Sequence, residues 1–122
     1  MKKKILIVDD EPRVQKIITE KLQREGFEST SAFDGKEGLK KVSSEKPDLI
    51  LLDIIMPKLD GISVLKKLKE DPEIDKIPVI ILTNLSGKET IVASLESGET
   101  DYLIKANYTL NELIVKIKEK LF

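Results

Sequence analysis

Three aspartates stand at the ends of apolar runs in this sequence. Asp9 and Asp10 follow the run Ile5–Val8, and Asp53 follows the run Leu49–Leu52. A carboxylate is costly to bury without partners, so acids in these positions call for a compensating charge. Carboxylate oxygens are the ligands that Mg²⁺ prefers in proteins. The pattern therefore predicts a divalent-cation site, provided that the fold brings the two runs together.

Two further side chains can act beside these acids. Thr83 follows the apolar run Val79–Leu82, and Lys105 follows Tyr102–Ile104. A carboxylate such as that of Asp53 can attack a phosphoryl group and form an acyl phosphate. A cation and a lysine would neutralise charge on the transferring oxygens, and a threonine hydroxyl could hydrogen-bond one of them. Phosphoryl transfer is therefore a chemistry that these residue types allow.

Short apolar runs alternate with helix-period segments along the whole chain. The apolar runs predict five strands, at Lys4–Val8, Phe27–Ala32, Leu49–Asp53, Pro78–Thr83 and Tyr102–Ile104. Helical spacing is clearest at Val14, Ile17, Ile18 and Leu22, before a stop at Gly26, and at Leu110, Leu113, Ile114, Ile117 and Leu121. Further helices are predicted after the Asp34-Gly35 turn to about Ser44, around Ile62–Leu68 as far as Pro72, and around Ile91–Leu95.

Five strand–helix units predict an α/β fold of the (βα)5, flavodoxin-like class. Strands without polar alternation, joined by helical crossovers, indicate a parallel sheet covered by helices on both faces. Right-handed crossovers favour a doubly wound sheet in the order 2-1-3-4-5, with the more polar strand Phe27–Ala32 near an edge. The residues 1–122 are expected to form a single domain, and all the candidate residues fall at the carboxyl ends of its strands, where such sheets bind ligands.

Composition narrows the range of partners. The 122 residues are 40% hydrophobic and 35% charged, enough for one domain with a core. A net charge of −1 without a basic stripe argues against direct nucleic-acid binding. The absence of cysteine and histidine excludes disulfides and the commonest zinc ligands. No apolar run is long enough for a signal peptide or a membrane span, so we expect no membrane association and a cytoplasmic location.

Each candidate residue also has a purely structural interpretation. Asp10 can cap the helix that follows it, and Asp53 can form a cap or a turn. Thr83 at a strand end, Lys105 on the surface and Tyr102 in the packing are all common without any function. The joint pattern favours chemistry, because these features reach the same edge of one predicted sheet.

Together the motifs resemble the receiver domain of bacterial two-component response regulators, including the chemotaxis regulators, over the whole chain. The matching segments are Ile7-Val8-Asp9-Asp10-Glu11-Pro12, Pro47-Asp48-Leu49-Ile50-Leu51-Leu52-Asp53, Met56-Pro57 with Asp60-Gly61, Pro78-Val79-Ile80-Ile81-Leu82-Thr83, and Gly98 with Asp101-Tyr102-Leu103-Ile104-Lys105. No single segment is specific, but the combination is.

The resemblance implies a role for each acidic residue. Asp53 would accept a phosphoryl group from a phosphohistidine on a partner histidine kinase or phosphotransfer protein. Asp9 and Asp10 would hold Mg²⁺ together with Asp53, and the backbone carbonyl of Ile55 would be a further ligand. The chain has no histidine of its own, which fits a protein that must receive the phosphoryl group from another. It would be a signalling switch rather than an enzyme acting on other substrates.

The resemblance also implies how the switch is read. Lys105 would pair with the phosphoryl group, while the Thr83 hydroxyl would move toward it and the Tyr102 ring would turn inward. A downstream protein would bind the face formed by the fourth helix, the fifth strand and the last helix, and the same face is a candidate for homodimerisation. The chain ends with its last helix, so we expect no output segment within it.

Three departures from the family pattern bear on this site. Ala106 follows Lys105, where the family usually has a proline after a cis bond. Because a cis bond to alanine costs about 3 kcal/mol more than one to proline, we expect a trans bond and a rearranged loop. Asn84 replaces the usual small residue after the switch threonine, which tightens access to the phosphate. Ile55 and Leu85 cannot orient an attacking water, so we expect slow loss of the phosphate.

Three other functional classes fit less well. An aspartate-nucleophile phosphohydrolase needs a second acid two residues after its nucleophile, but Asp53 is followed by Ile55, and Asp9 is followed by Glu11 without the rest of the pattern. A flavin carrier needs a phosphate loop after its first strand, where these acids would repel a phosphate. A pseudo-receiver that works without phosphorylation has only Ala106 in its favour.

Overall fold

One five-stranded parallel sheet organises the molecule, in the order β2-β1-β3-β4-β5. The structure is a computed structural model that describes residues 2–53, 61–74, 76–83, 101–104 and 109–122. Its strands are β1 Lys4–Val8, β2 Glu28–Ala32, β3 Leu49–Asp53, β4 Val79–Thr83 and β5 Asp101–Ile104. The predicted doubly wound order is confirmed, and the polar strand β2 lies at an edge.

Helices connect the strands and cover both faces of the sheet. The described helices are α1 Pro12–Arg24, α2 Gly35–Glu45, α3 Gly61–Glu70 and the C-terminal helix Leu110–Leu121. The helix predicted around Ile91–Leu95 lies outside the described residues. Within the part of the chain that the structure describes, no helix is long and apolar enough to cross a membrane.

The sheet separates two apolar cores. All five residues of β3 are buried, as expected for a strand covered on both faces. One core packs against α2 and α3 and includes Leu6, Val8, Val42, Leu52, Val64 and Leu68. The other packs against α1 and the C-terminal helix and includes Ile5, Ile7, Ile18, Leu22, Leu113, Ile114 and Ile117. This double cover holds the carboxyl ends of β1 and β3 side by side.

Helix α1 presents a different face to the sheet from the one its apolar residues predict. Ile17, which belongs to the predicted apolar stripe, is 46% exposed. Gln15 is only 3% exposed and shares the buried face with Ile18 and Leu22. The helix is therefore rotated so that an amide replaces one isoleucine of the expected stripe.

Helix α2 is closely packed on β1 at a glycine. A Cβ on Gly38 would lie 3.0 and 3.1 Å from the two γ-carbons of Val8. The sequence alone marks Gly38 as a weak helix former, whereas the structure gives a steric reason for it. The helix begins at Gly35, and the Asp34 carboxylate caps it by accepting from the Glu37 N–H at 2.8 Å. The predicted Asp34-Gly35 turn is thus the start of the helix.

Candidate functional site

The strand register brings the acidic ends of β1 and β3 together. Val8 lies opposite Leu52 in the parallel pairing of β1 with β3. Asp9 follows Val8 and Asp53 follows Leu52, so the two aspartates reach the same point at the carboxyl edge of the sheet. On the other side, Asp53 pairs with Leu82 of β4. The sheet therefore brings the acidic ends of the two apolar runs together, at the edge where ligands bind in this class of fold.

Three carboxylates form one cluster at this edge. Each of Asp9, Asp10 and Asp53 offers a carboxylate oxygen, and these oxygens all lie within 4.8 Å of one another. Asp9 is fully buried and Asp53 is 4% exposed, whereas Asp10 is half-buried. Like charges this close repel strongly where water is scarce, so the cluster favours the binding of a cation.

Asp9 is held in place by its own backbone and by its neighbour. Its N–H donates to the Ala32 carbonyl at 3.0 Å, which continues the contact of β1 with β2. Its Oδ1 accepts a hydrogen bond from the Glu11 N–H at 2.9 Å. The first acid of the cluster is therefore fixed at both its main chain and its carboxylate.

The donor set suits a small hard cation. Mg²⁺ takes oxygen ligands in octahedral geometry, where opposite oxygens lie about 4.2 Å apart, and usually keeps several waters. A cluster of three carboxylates with oxygens within 4.8 Å matches that size, with the ion bound directly or through water. Among the described residues, these three aspartates are the candidate metal-binding cluster.

The structure disfavours the structural interpretation of Asp10, and it describes where Asp53 lies. The N-cap of α1 is Glu11, whose side chain makes no capping hydrogen bond, so Asp10 does not hold the capping position. Asp53 is the last residue of β3 and is buried there. Both carboxylates instead belong to the cluster.

The other predicted site residues are described in part or not at all. Thr83 ends β4 and pairs with Ile104 of β5, which places its backbone at the same edge of the sheet. Tyr102 pairs with Ile81 inside the sheet. The side chains of Thr83 and Tyr102 lie outside the described part of the structure. Ile55 and Lys105 also lie outside it, as do Asn84, Leu85 and Ala106. The roles of all these residues stay predictions.

Gln15 lies beside the site although no sequence motif indicated it. Its Nε2 lies 2.9 Å from the Ile7 carbonyl, 3.1 Å from the Asp9 carbonyl and 2.8 Å from the Ala32 carbonyl. It thus reaches the ends of β1 and β2 next to the acidic cluster. A signal was available, because Gln15 stands three and seven residues before the buried Ile18 and Leu22 and so falls on the same helix face.

Comparison with known proteins agrees with the fold and the site. A family model described as the response regulator receiver domain matches residues 5–118. The alkaline phosphatase synthesis transcriptional regulatory protein PhoP of Bacillus subtilis is 41% identical over 118 residues, which cover 97% of this chain and 48% of PhoP. The chain spans about half the length, or less, of the first curated relatives that it matches.

Solved structures show the same fold. The response regulator protein TrrA from Thermotoga maritima, solved in complex with Mg²⁺-BeF, is 35% identical with a TM-score of 0.85, and the match covers 98% of this chain and 99% of TrrA. The Francisella response regulator 1452 receiver domain is 38% identical with a TM-score of 0.86, over 98% of this chain and 96% of that one.

The chain therefore belongs to the response regulator receiver domain family. It is a phosphoacceptor domain of two-component signalling, and the resemblance seen in the sequence is confirmed. Receiver domains of response regulators receive phosphate from histidine kinases, and they act as signalling switches.

Proposed function

We propose that Asp53 is the phosphoacceptor and that the acidic cluster holds the Mg²⁺ on which the transfer depends. The observation that carries the proposal is the gathering of Asp9, Asp10 and Asp53 within 4.8 Å at the carboxyl edge of the sheet. Asp53 ends the middle strand of the sheet, because β3 lies between β1 and β4. The backbone carbonyl of Ile55 is proposed as a further ligand.

The proposed reaction moves one phosphoryl group between two proteins. A carboxylate oxygen of Asp53 forms a bond to phosphorus while the P–N bond of a phosphohistidine breaks. The electron pair of that bond goes to the imidazole nitrogen of the donor, which takes a proton from solvent. Bound Mg²⁺ would supply charge neutralisation on the phosphoryl oxygens. Asp9, fixed through its main chain and its carboxylate, orients the site before the donor arrives.

Lys105, Thr83 and Tyr102 complete the proposed switch. The Lys105 ammonium pairs with the phosphoryl oxygens, and the Thr83 hydroxyl bonds one of them. The pairing of Thr83 with Ile104, the residue before Lys105, supports a shared location at one edge of the sheet. The ring of Tyr102 then turns inward behind the threonine and changes the surface of β5.

The proposed partners are proteins on either side of the transfer. The donor is a histidine kinase or a phosphotransfer protein. The target is a downstream protein that binds the surface of β5, the C-terminal helix and the helix predicted around Ile91–Leu95. The same surface is proposed for homodimerisation. We propose that residues 1–122 form one receiver domain that acts in the cytoplasm and itself contacts neither nucleic acid nor membrane.

The proposed phosphoprotein is long-lived. Ile55 and Leu85 are apolar at positions that tune hydrolysis in the family, so neither can orient an attacking water. A phosphate lost quickly after the donor is removed, followed with a radiolabelled phosphoryl group, would contradict this part of the proposal.

Three proteins test the phosphoacceptor: the wild type, Asp53→Asn and the matched control Asp48→Asn at the opposite end of β3. Each is incubated with acetyl phosphate and Mg²⁺, and the intact mass is measured. We expect one phosphoryl group on the wild type and on Asp48→Asn, none on Asp53→Asn, and none on any of them without Mg²⁺. Equal modification of all three, or modification of none, would overturn the assignment of Asp53.

A further inference from the structure

We infer that Gln15 is a positioning residue for the magnesium site, which it serves by fixing the main chain at Asp9. This inference rests on the proposed function of the acidic cluster. It concerns one buried side chain, 3% exposed, whose Nε2 lies within 3.1 Å of three backbone carbonyls. Those carbonyls belong to Ile7, Asp9 and Ala32, at the ends of two strands.

Gln15 donates hydrogen bonds to both residues, Asp9 and Ala32, that are joined by the backbone hydrogen bond of Asp9. The Asp9 N–H donates to the Ala32 carbonyl at 3.0 Å. The Gln15 amide donates to that same Ala32 carbonyl at 2.8 Å and to the Asp9 carbonyl at 3.1 Å. The amide therefore spans the junction of β1 with β2 from the side of α1. A shift of the Asp9 main chain would have to break or stretch these bonds.

The donor end of Gln15, rather than its bulk, explains why an amide is buried here. Its Oε1 is buried and finds no hydrogen-bond donor among the described residues. A buried polar atom without a partner is destabilising, and a methionine would fill a similar volume without that cost. The two N–H groups, in contrast, serve three carbonyls. The Oε1 atom of Gln15 thus lowers the stability of the fold, while its Nε2 atom supports the site.

Loss of the donor should act on metal affinity first. Without the Gln15 amide the Asp9 carbonyl loses this buried partner, and the Asp9 carboxylate is then held less firmly. Groups that orient a metal ligand typically contribute tenfold or more to metal affinity. The phosphoacceptor Asp53 lies on β3, which Gln15 does not contact through these bonds. Saturating Mg²⁺ should therefore restore the phosphorylation rate.

The variant Gln15→Met tests this split, with Ile18→Val as the matched control. Ile18 is 2% exposed one turn further along the same helix face, so its truncation loosens the core without removing a donor. Phosphorylation by acetyl phosphate is followed as a function of Mg²⁺ concentration. We expect Gln15→Met to raise the half-saturating Mg²⁺ concentration about tenfold with the maximal rate retained, and Ile18→Val to leave it unchanged. A wild-type half-saturation in Gln15→Met, or an equal shift in Ile18→Val, would overturn the inference.

A measurement on the wild type decides the matter even if Gln15→Met fails to fold. Mg²⁺ is titrated while the side-chain amide signals of the two glutamines are followed by nuclear magnetic resonance. The Gln15 signal should shift with the same half-saturation as the Asp10 backbone amide, while the exposed Gln23 stays constant. A Gln15 signal that stays constant while Asp10 responds would refute the inference alone. Absence of any Mg²⁺ response in the cluster would instead refute the proposed function.

Discussion

Strand β3 has an aspartate at each end, in contrasting surroundings. Asp48 precedes the strand, and its Oδ2 accepts from the Lys4 backbone N–H at 2.8 Å, while its own N–H donates to the Lys4 carbonyl at 2.8 Å. The ammonium of Lys4 lies 3.0 Å from Glu45. Asp53 ends the strand within 4.8 Å of two other carboxylates. Strand β3 thus runs from a sheet edge with an ion pair to the opposite edge, where three carboxylates lie close together.

At the amino ends of the strands, charged side chains form ion pairs that stabilise the fold. A hydrogen bond to Glu45 holds the pKa of the Lys4 ammonium above its usual value. A hydrogen bond from Lys118 holds the pKa of the Glu25 carboxyl below its usual value, although burial acts in the opposite direction. At this edge Lys4 and Glu25 each form an ion pair with an oppositely charged side chain. The carboxyl edge instead concentrates acids that favour a cation, which is the arrangement of a binding site.

An aspartate-to-asparagine substitution should change the free energy of unfolding in opposite directions at the two edges of the sheet. Without Mg²⁺, Asp10→Asn should stabilise the fold by about 1 kcal/mol, because it removes one of three clustered charges. Asp48→Asn should destabilise it by about 1 kcal/mol, because the Lys4 N–H loses a charged acceptor. Urea denaturation in a chelator measures both. Stability changes of the same sign in both variants would contradict the assigned difference between the two edges.

The same two variants should also respond differently to added Mg²⁺. At ten times its dissociation constant, Mg²⁺ should stabilise the wild type by about 1.4 kcal/mol, which raises Tm by roughly 5 °C. Asp48→Asn should keep that rise and Asp10→Asn should lose most of it. An equal rise in both variants would place the cation away from the cluster.

A smaller effect is expected behind the cluster, where α2 packs on β1. Gly38→Ala should destabilise the fold by about 1 kcal/mol, because the new methyl presses on the buried Val8 and this outweighs the better helix propensity of alanine. Urea denaturation of the double variant Gly38→Ala/Val8→Ala provides the check. In that background the substitution at Gly38 should become neutral or stabilising, and a cost that persists would place the conflict elsewhere.

The smallest effect concerns pH at the amino edge. Since the pKa of Glu25 is lowered in the folded protein, its contribution to stability is present above the usual carboxyl pKa and is lost as pH falls through the lowered value. Glu25→Gln should therefore have a slightly lower Tm than the wild type at neutral pH and an equal one in acid. Salt should shrink the difference, since the pair with Lys118 is exposed. A difference that grows in acid would contradict the assignment.

The strands and their order were predictable because a strand that is buried on both faces has a recognisable sequence pattern. Each central strand is an unbroken apolar run, and helical crossovers between such runs allow few topologies. The acidic ends of β1 and β3 could be placed together for the same reason. The stripe of the C-terminal helix is also confirmed, with Leu113, Ile114 and Ile117 buried.

The spacing of Gln15 from Ile18 and Leu22 could indicate the buried helix face, but its contacts were not predictable because they depend on the exact rotation of the helix. Periodicity gave α1 an apolar stripe that includes Ile17, yet the sheet selects the face of Gln15, whose amide meets carbonyls from two strands. Those carbonyls converge only once the register of β1 with β2 is set. Gly38 is similar, because its small size answers to Val8, a residue thirty positions earlier in the chain.

The phosphorylated residue can be located directly by chemical labelling. The wild type is phosphorylated with acetyl phosphate and Mg²⁺ and then reduced with borohydride, which converts an aspartyl phosphate to homoserine. Peptide sequencing by mass spectrometry should find homoserine at position 53, only when Mg²⁺ was present, and unchanged aspartate at Asp9, Asp10 and Asp48. Homoserine at another position, or at position 53 without any need for Mg²⁺, would contradict the account.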